Sequence, residues 1–170
     1  MLHFRIPNIS EYAQIVDLVN NADQVYFDIY SVEEAKDFCI ADESIESLIQ
    51  GSQTRKYICM YLDTTMIGYA SYRFKNSTTV WLSMFYIDTT YQGNGYGTQF
   101  LTYLESELGN KGAQVIAFET DTRATWACEF YKKNNYIILD QYQLKKAPFC
   151  SVLDSAPVPG RYIFGKQTNI

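Results

Sequence analysis

The segment Gln92-Gly93-Asn94-Gly95-Tyr96-Gly97-Thr98 sets a run of glycines between two strongly patterned stretches. Before it, Val80 to Asp88 is almost continuously apolar, as expected of a strand covered on both faces. After it, Phe100, Leu101, Leu104 and Leu108 fall on one face of a helix that runs out at Gly109-Asn110 and Gly112. A buried strand leading through a glycine turn into an amphipathic helix commits the chain to an α/β architecture.

The flanking sequence extends that pattern. Leu2 to Ile6 predicts a short strand with Leu2, Phe4 and Ile6 on one face, ended by Pro7. Asn8 and Glu11 have the spacing of a capping box, and Ile9, Tyr12, Ile15, Val16 and Val19 predict a helix from about Ile9 to Asn21. Val32 to Phe38 and Ser44 to Ile49 read as short helices with acidic outer faces in a variable, partly mobile region. Tyr57 to Leu62 and Met66 to Phe74 read as two strands joined by the hairpin-length connection Asp63-Thr64-Thr65. Beyond the glycines, Gln114 to Glu119 predicts a strand and Arg123 to Asn134 a helix with a wide apolar face of Trp126, Ala127, Phe130 and Tyr131. Tyr136 to Leu139 and Arg161 to Phe164 predict closing strands, with a long loop or irregular hairpin between them. At 170 residues with no internal repeat, this predicts one α/β domain, 1–170, built on a mixed sheet.

Composition removes several chemistries. His3 is the sole histidine and sits in the first strand, so a Ser-His-Asp or Cys-His nucleophile would rest on that one residue, and a His-rich zinc site is out of reach. No metal site is expected. A formal charge of −5 argues against a nucleic-acid partner held by phosphate contacts and is compatible with a cationic one. Cys39, Cys59, Cys128 and Cys150 are too far apart for a metal knuckle or redox pair and read as free thiols of a reduced compartment. Neither a signal peptide nor a membrane span is evident, which leads to the expectation of a soluble cytoplasmic protein with no membrane partner. The 15 tyrosines suit a Tyr-lined cleft or, more simply, core and sheet surface.

The glycine run fits neither a dinucleotide fingerprint, since the sixth position from Gly93 is Thr98, nor a P-loop, since Gly-Lys-Ser/Thr is missing. Two readings stay open for it. Either its backbone N–H groups face an anion at a helix N-terminus, where side chains would block the approach, or it is a plain turn joining strand to helix.

Together with its neighbours, this loop resembles that of the GCN5-related N-acetyltransferases, written Q/R-x-x-G-x-G/A, with Gln92, Gly95 and Gly97 in the specified positions. Ile87-Asp88-Thr89-Thr90-Tyr91 is similar to the family's V-D-P-x-Y approach, with Thr89 in place of proline. Met66-Ile67-Gly68-Tyr69 is similar to its I-V-G-[FY] strand, Phe118-Glu119-Thr120 to its L-E-V, and Tyr131 to Tyr136 to its Y-x-x-x-G-F. The match is best over 56–139. Three departures stand out. Ala124 occupies the place of an asparagine that contacts the cofactor in the family, and Asn135 replaces a glycine, a mild change because Asn tolerates a left-handed cap. Gln92 and Asn94 stand where many relatives carry Arg or Lys, which would leave phosphate capture to the backbone amides of Gln92, Gly93, Asn94, Gly95, Tyr96, Gly97 and Thr98.

The resemblance implies a mixed, mostly antiparallel sheet flanked by helices, and acetyl transfer from acetyl-CoA to an amine by direct attack in a ternary complex. It further implies that the third long strand splays from its neighbour and that the backbone of Phe85, Tyr86 and Ile87 pairs with the pantetheine, one N–H polarising the thioester carbonyl. Glu119, at the end of the apolar strand Val115 to Phe118, is the expected base, directly or through water, with partial burial raising its pKa. An exposed strand-end carboxylate is its plainer reading. Tyr131 is the expected acid toward the leaving thiolate, against the plainer reading of a core tyrosine. Cys128 has no histidine to activate it, which disfavours an acyl-cysteine intermediate.

The acceptor is not written in these motifs. Tyr26, Phe27 and Tyr30 with Asp23, Asp28, Glu33 and Glu34 would suit a cationic amine, so a small-molecule or polyamine-like acceptor is preferred over a peptide N-terminus, although an ordinary helix surface explains the same residues. The alternative of a different class is an acyl-CoA-binding sensor without catalysis, for which Ala124 speaks; an acetylating toxin acting on tRNA is disfavoured by the charge. The segment Gln141 to Gly160 either completes a partner's sheet in a homodimer or folds back as a loop.

Overall fold

The computed structural model describes residues 1–38, 43–154 and 157–168; Cys39 lies outside them, as do Ser155 and Ala156 of the long segment. The chain runs β1 (Leu2–Arg5), α1 (Tyr12–Asp23), α2 (Val32–Phe38), α3 (Ile45–Gly51), β2 (Lys56–Leu62), β3 (Thr65–Phe74), β4 (Thr79–Ile87), α4 (Tyr96–Asn110), β5 (Val115–Asp121), α5 (Thr125–Lys133), β6 (Ile137–Ile138) and β7 (Arg161–Gln167). The seven strands form one mixed sheet in the order β1-β2-β3-β4-β5-β7-β6. Two compact units are present: Met1–Tyr72 with Met84–Phe100, and Arg73–Ser83 with Leu101–Ile170.

In the first unit β1, β2 and β3 are joined antiparallel, with a bulge between Met60 and Tyr61. The β2–β3 turn is tighter than the sequence suggested. Asp63 adopts φ 53°, a left-handed conformation that Asp tolerates, and Thr65 already belongs to β3. Tyr12, Ile15, Leu18 and Val19 of α1 pack with Leu48 of α3 on Tyr57, Cys59, Tyr61 and Tyr69. The expected stripe holds except at its start, where Ile9 lies in a 3₁₀ turn and is 67% exposed. Ile6 likewise falls beyond β1 and is 70% exposed, because Pro7 ends the strand sooner than the alternation implied. His3 is an exposed strand residue stacked on Tyr61.

The helix start is held by Glu11. Its carboxylate accepts two 2.7 Å bonds from the Arg5 guanidinium, one of 2.7 Å from the Asn8 N–H and one of 3.1 Å from the Tyr61 hydroxyl. The Arg5 hydrogen bonds, ahead of the others, hold the carboxyl down to about 2 from its ordinary 4.5. A depressed carboxyl pKa stabilises the fold fully above its unfolded value and less as pH falls toward its folded one. Glu11→Gln should therefore lower the melting temperature at pH 7 and flatten the loss of stability between pH 4.5 and 2, measured by thermal melts across that range. Parallel acid limbs for the two proteins would refute the assignment.

In the second unit β4 and β5 run parallel through Thr79–Val115, Val80–Ile116 and Trp81–Ala117, and β7 pairs antiparallel with both β5 and β6. Strand alternation sorts the side chains of β5. Val115 and Ala117 face a cluster with Leu139, Phe149, Val152 and Ile163, while Phe118 faces Tyr131, Tyr136 and Phe164. The part of the long segment from Gln141 to Asp154 thus folds back over its own sheet, through the 3₁₀ turns Gln143–Lys145 and Phe149–Ser151. Lys75 pins it, donating 2.8 Å to the Val152 carbonyl and pairing at 2.7 Å with Asp154.

Candidate active site

The strand–glycine–helix segment is built as its sequence implies, and the reason for two of its three glycines is visible. Gly93 and Gly95 adopt φ 76° and 80°, left-handed conformations that side chains disfavour. A Cβ added at either would meet no atom within 4 Å, so the backbone here borders open space. The first intrahelical bond is from the Gln99 N–H to the Gly95 carbonyl at 3.1 Å. Amides preceding it lie ahead of the helix ladder, at the positive end of the α4 dipole. The exposed side chains of Gln92 and Asn94 bend back onto the backbone of the loop and its stem: Gln92 Nε2 donates 2.9 Å to the Ile87 carbonyl, and Asn94 Nδ2 donates to the Tyr91 and Gln92 carbonyls. They brace the loop, and its anion-facing capacity rests in the backbone.

Both stems of the loop rest on Gly68. A Cβ there would stand 3.0 Å from Ile87 Cδ1 and 3.2 Å from both Met60 Cβ and Phe100 Cδ1, tighter than ordinary contact, so a side chain would press these neighbours outward by a few tenths of an ångström. The Asp88 N–H donates 3.0 Å to the Ile67 carbonyl, and the Asp88 carboxylate caps the Thr89–Tyr91 turn through the Thr90 N–H. Thr89 therefore opens the turn where the resemblance has proline, with no loss of the turn itself.

The expectation that β4 is covered on both faces fails in its second half. Val80, Leu82 and Ile87 are buried, but Ser83 is exposed and Met84, Phe85 and Tyr86 are only half-buried. The Phe85 ring packs on Phe100 at 5.3 Å and Tyr86 on the core beneath α1, which fixes the strand while leaving its surface open.

Glu119 lies on β5, opposite Ile163 of β7. Its side chain is 36% exposed, partly covered as expected, with Arg161 Nη1 3.7 Å away. Thr120 and Asp121, which follow it on β5, are buried again, so Glu119 is the one open position of the strand. Tyr131 is buried on α5, its ring 4.3 Å from Phe118 and 5.6 Å from Phe164. Because Phe118 and Glu119 point to opposite faces of β5, Glu119 and Tyr131 are not on the same face.

Ala124 is the fully buried N-cap of α5 and supplies no side-chain bond to the helix. Asn135 closes the other end at φ 65°, the left-handed cap expected of it, with the Tyr136 N–H donating 3.1 Å to the Tyr131 carbonyl. Trp126 on the same helix is 42% exposed, so the apolar face is narrower than its sequence implied. Tyr26, Phe27 and Tyr30 are half-buried around a 3₁₀ turn, while Asp23 is buried at the end of α1 and Asp28, Glu33 and Glu34 are exposed. Among the described residues no group of three or more His, Cys, Asp or Glu is placed to hold a metal ion, and no helix is long and apolar enough to cross a membrane.

The model of the acetyltransferase (GNAT) family matches residues 16–136. The chain belongs to this family. With the family come acetyl-CoA as cosubstrate and N-acetyl transfer as its general chemistry, and a loop open above Gly93 and Gly95 at a helix N-terminus fits an anionic diphosphate. Solved GNAT structures share the fold at low identity. The PaiA N-acetyltransferase from Thermoplasma acidophilum in complex with coenzyme A has 18% identity and a TM-score of 0.78, covering 98% of this chain and 99% of its own. Ard1 from Thermoplasma volcanium has 11% identity and a TM-score of 0.73, covering 99% of each chain. The ribosomal-protein-S18-alanine N-acetyltransferase from Escherichia coli has 12% identity and a TM-score of 0.70, covering 100% of this chain and 96% of its own. No curated protein sequence matches the chain.

The Lys166–Glu105 pair in this unit had no sequence signal, because its members lie in unrelated segments and only the fold joins them.

Proposed function

We propose that this GNAT chain acetylates a primary amine, a small-molecule or polyamine-like acceptor in preference to a peptide N-terminus, by direct attack within a ternary complex in the cytoplasm, with residues 1–170 acting as one N-acetyltransferase domain. The observation that carries the reading is the glycine loop, left-handed at Gly93 and Gly95 and open above both, at the start of α4. The backbone amides from Gln92 to Thr98 hold the diphosphate, and the strand backbone of Phe85, Tyr86 and Ile87, in the half-exposed part of β4, pairs with the pantetheine. Bound acetyl-CoA supplies an activated thioester. An alkylamine is mostly protonated at neutral pH, so a group must first take its proton. Glu119 does so, directly or through water, its exposure giving an acceptor access to the carboxylate. Tyr131 donates to the leaving sulfur.

Direct attack is supported by the thiols. Burial pushes the Cys59 thiol up to about 12 and also raises that of Cys128, so neither is a ready nucleophile. Cys59, Cys128 and Cys150 are free, in keeping with a reduced compartment. The acceptor preference rests on the net charge of −5 and the acidic residues of the N-terminal region. A homodimer stays part of the proposal, although Phe149 and Val152 of the segment after β6 pack on their own unit.

The second reading, an acyl-CoA sensor, is favoured by one observation: the N-cap of α5 is Ala124, with no polar group where the family commonly has one. An amine panel decides between them. Free thiol should be released from acetyl-CoA only when a suitable amine is added, with polyamines outpacing peptides; release with no amine would favour neither reading, and acetyl-CoA binding without release from any amine would establish the sensor.

A further inference from the structure

Resting on the assignment of Tyr131 as acid, we infer that Lys166 and Glu105 are positioning residues that fix the Tyr131 hydroxyl by clamping the C-terminal end of α5. Lys166 extends from β7, and its ammonium makes three charge-assisted bonds: 2.9 and 2.8 Å to the two Glu105 oxygens of α4 and 3.0 Å to the Asn134 carbonyl that follows α5. That carbonyl belongs to the residue at which the helix gives way to the left-handed Asn135, where a cation also complements the helix dipole.

The same ammonium lies 5.3 Å from the centre of the Tyr136 ring. Tyr136 stands 6.1 Å from the Tyr131 ring, and both contact Phe118, at 5.0 and 4.3 Å. Tyr136 also bonds through its N–H to the Tyr131 carbonyl at 3.1 Å. Two routes therefore join Lys166 to Tyr131, one along the helix cap and one through tilted and edge-on ring contacts. Glu105 orients the ammonium, and burial together with the Glu105 charge keeps the Tyr136 hydroxyl well above its ordinary pKa, so this ring stays neutral. Lys166 and Glu105 are about 20% exposed, so the pair is shielded enough to hold its geometry. Nothing in that geometry demands contact with a substrate. Its effect on the reaction is through the angle at which α5 presents a phenol, and proton transfer is sensitive to small misplacement.

The test uses the full chain and an accepted amine. Lys166→Met keeps the aliphatic stem and removes the donors; kcat should fall roughly 10-fold while the acetyl-CoA KM stays within about 2-fold. Amide exchange at Asn135 and Tyr136 should quicken in the same variant, and Lys166→Arg should restore most of the turnover. Glu105→Gln, a milder change, should act in the same direction and serves if Lys166→Met does not fold. In a Tyr131→Phe background, Lys166→Met should have no further effect on kcat. Unchanged kcat in Lys166→Met or Glu105→Gln despite faster exchange would reduce the clamp to a stability element and overturn the inference alone. A full additional loss in the Tyr131→Phe background would overturn it too, by showing action elsewhere. Wild-type turnover in Tyr131→Phe itself would remove the acid assignment and this inference with it.

Discussion

Gly95→Glu should abolish the rise in melting temperature that acetyl-CoA produces in the parent protein and should lower kcat/KM by at least about 100-fold. Two effects combine at this position. The backbone at φ 80° is left-handed, which costs an ordinary side chain about 1–2 kcal/mol. The space above it is open, so a glutamate would enter the solvent-facing side of the loop without a clash and carry a negative charge to where the amides attract one. Companion variants separate strain from charge. Gly95→Asn tolerates the conformation and adds no charge, so it should retain most of the thermal shift; Gly95→Ala should lose stability by about the left-handed cost and keep binding. If Gly95→Glu still shows the full acetyl-CoA shift, the diphosphate does not lie over this loop.

Tyr131→Phe should reduce kcat by roughly 100-fold, the lower range for loss of a general acid, while the acetyl-CoA KM changes little. The fold should tolerate it. The Tyr131 ring is held by Phe118 at 4.3 Å, Phe130 at 5.2 Å and Phe164 at 5.6 Å, contacts that phenylalanine keeps. Loss of turnover with an unchanged melting temperature would then report the hydroxyl alone. A substrate with a better leaving thiol should be less affected, since it needs the proton less. Equal turnover in the variant would make Tyr131 the core aromatic of its plainer reading.

The loop and its stems were legible in the sequence because their constraints are local. Gly93 and Gly95 needed no tertiary context to mark a left-handed turn, and Asn135 marked the α5 cap for the same reason. Gly68 was legible only as a motif letter; that it is the seat for Ile87 and Phe100 depends on three separate segments meeting. Glu119 shows the opposite case. Its apolar run predicted a partly buried carboxylate, but how far each strand position is covered depends on what packs there, and the Glu119 side chain is left 36% exposed between the buried Phe118 and Thr120. The second half of β4 deviates similarly, since an apolar run reports affinity for cover and not whether this chain itself provides it.

Residue type and near-neighbour spacing determined the α/β class, the order of the elements and the resemblance to an acetyltransferase family, with the glycine run and its flanking strand and helix foremost, while the single histidine limited histidine chemistry to one residue. Tertiary structure decided what those residues face. It turned Gln92 and Asn94 onto carbonyls of the loop and its stem as braces, set Glu119 and Tyr131 on opposite faces of β5, folded Gln141 to Asp154 over its own sheet and joined Lys166 to Glu105 across 61 residues of chain. Such pairings are set by which surfaces meet when distant segments pack, and no local pattern encodes them.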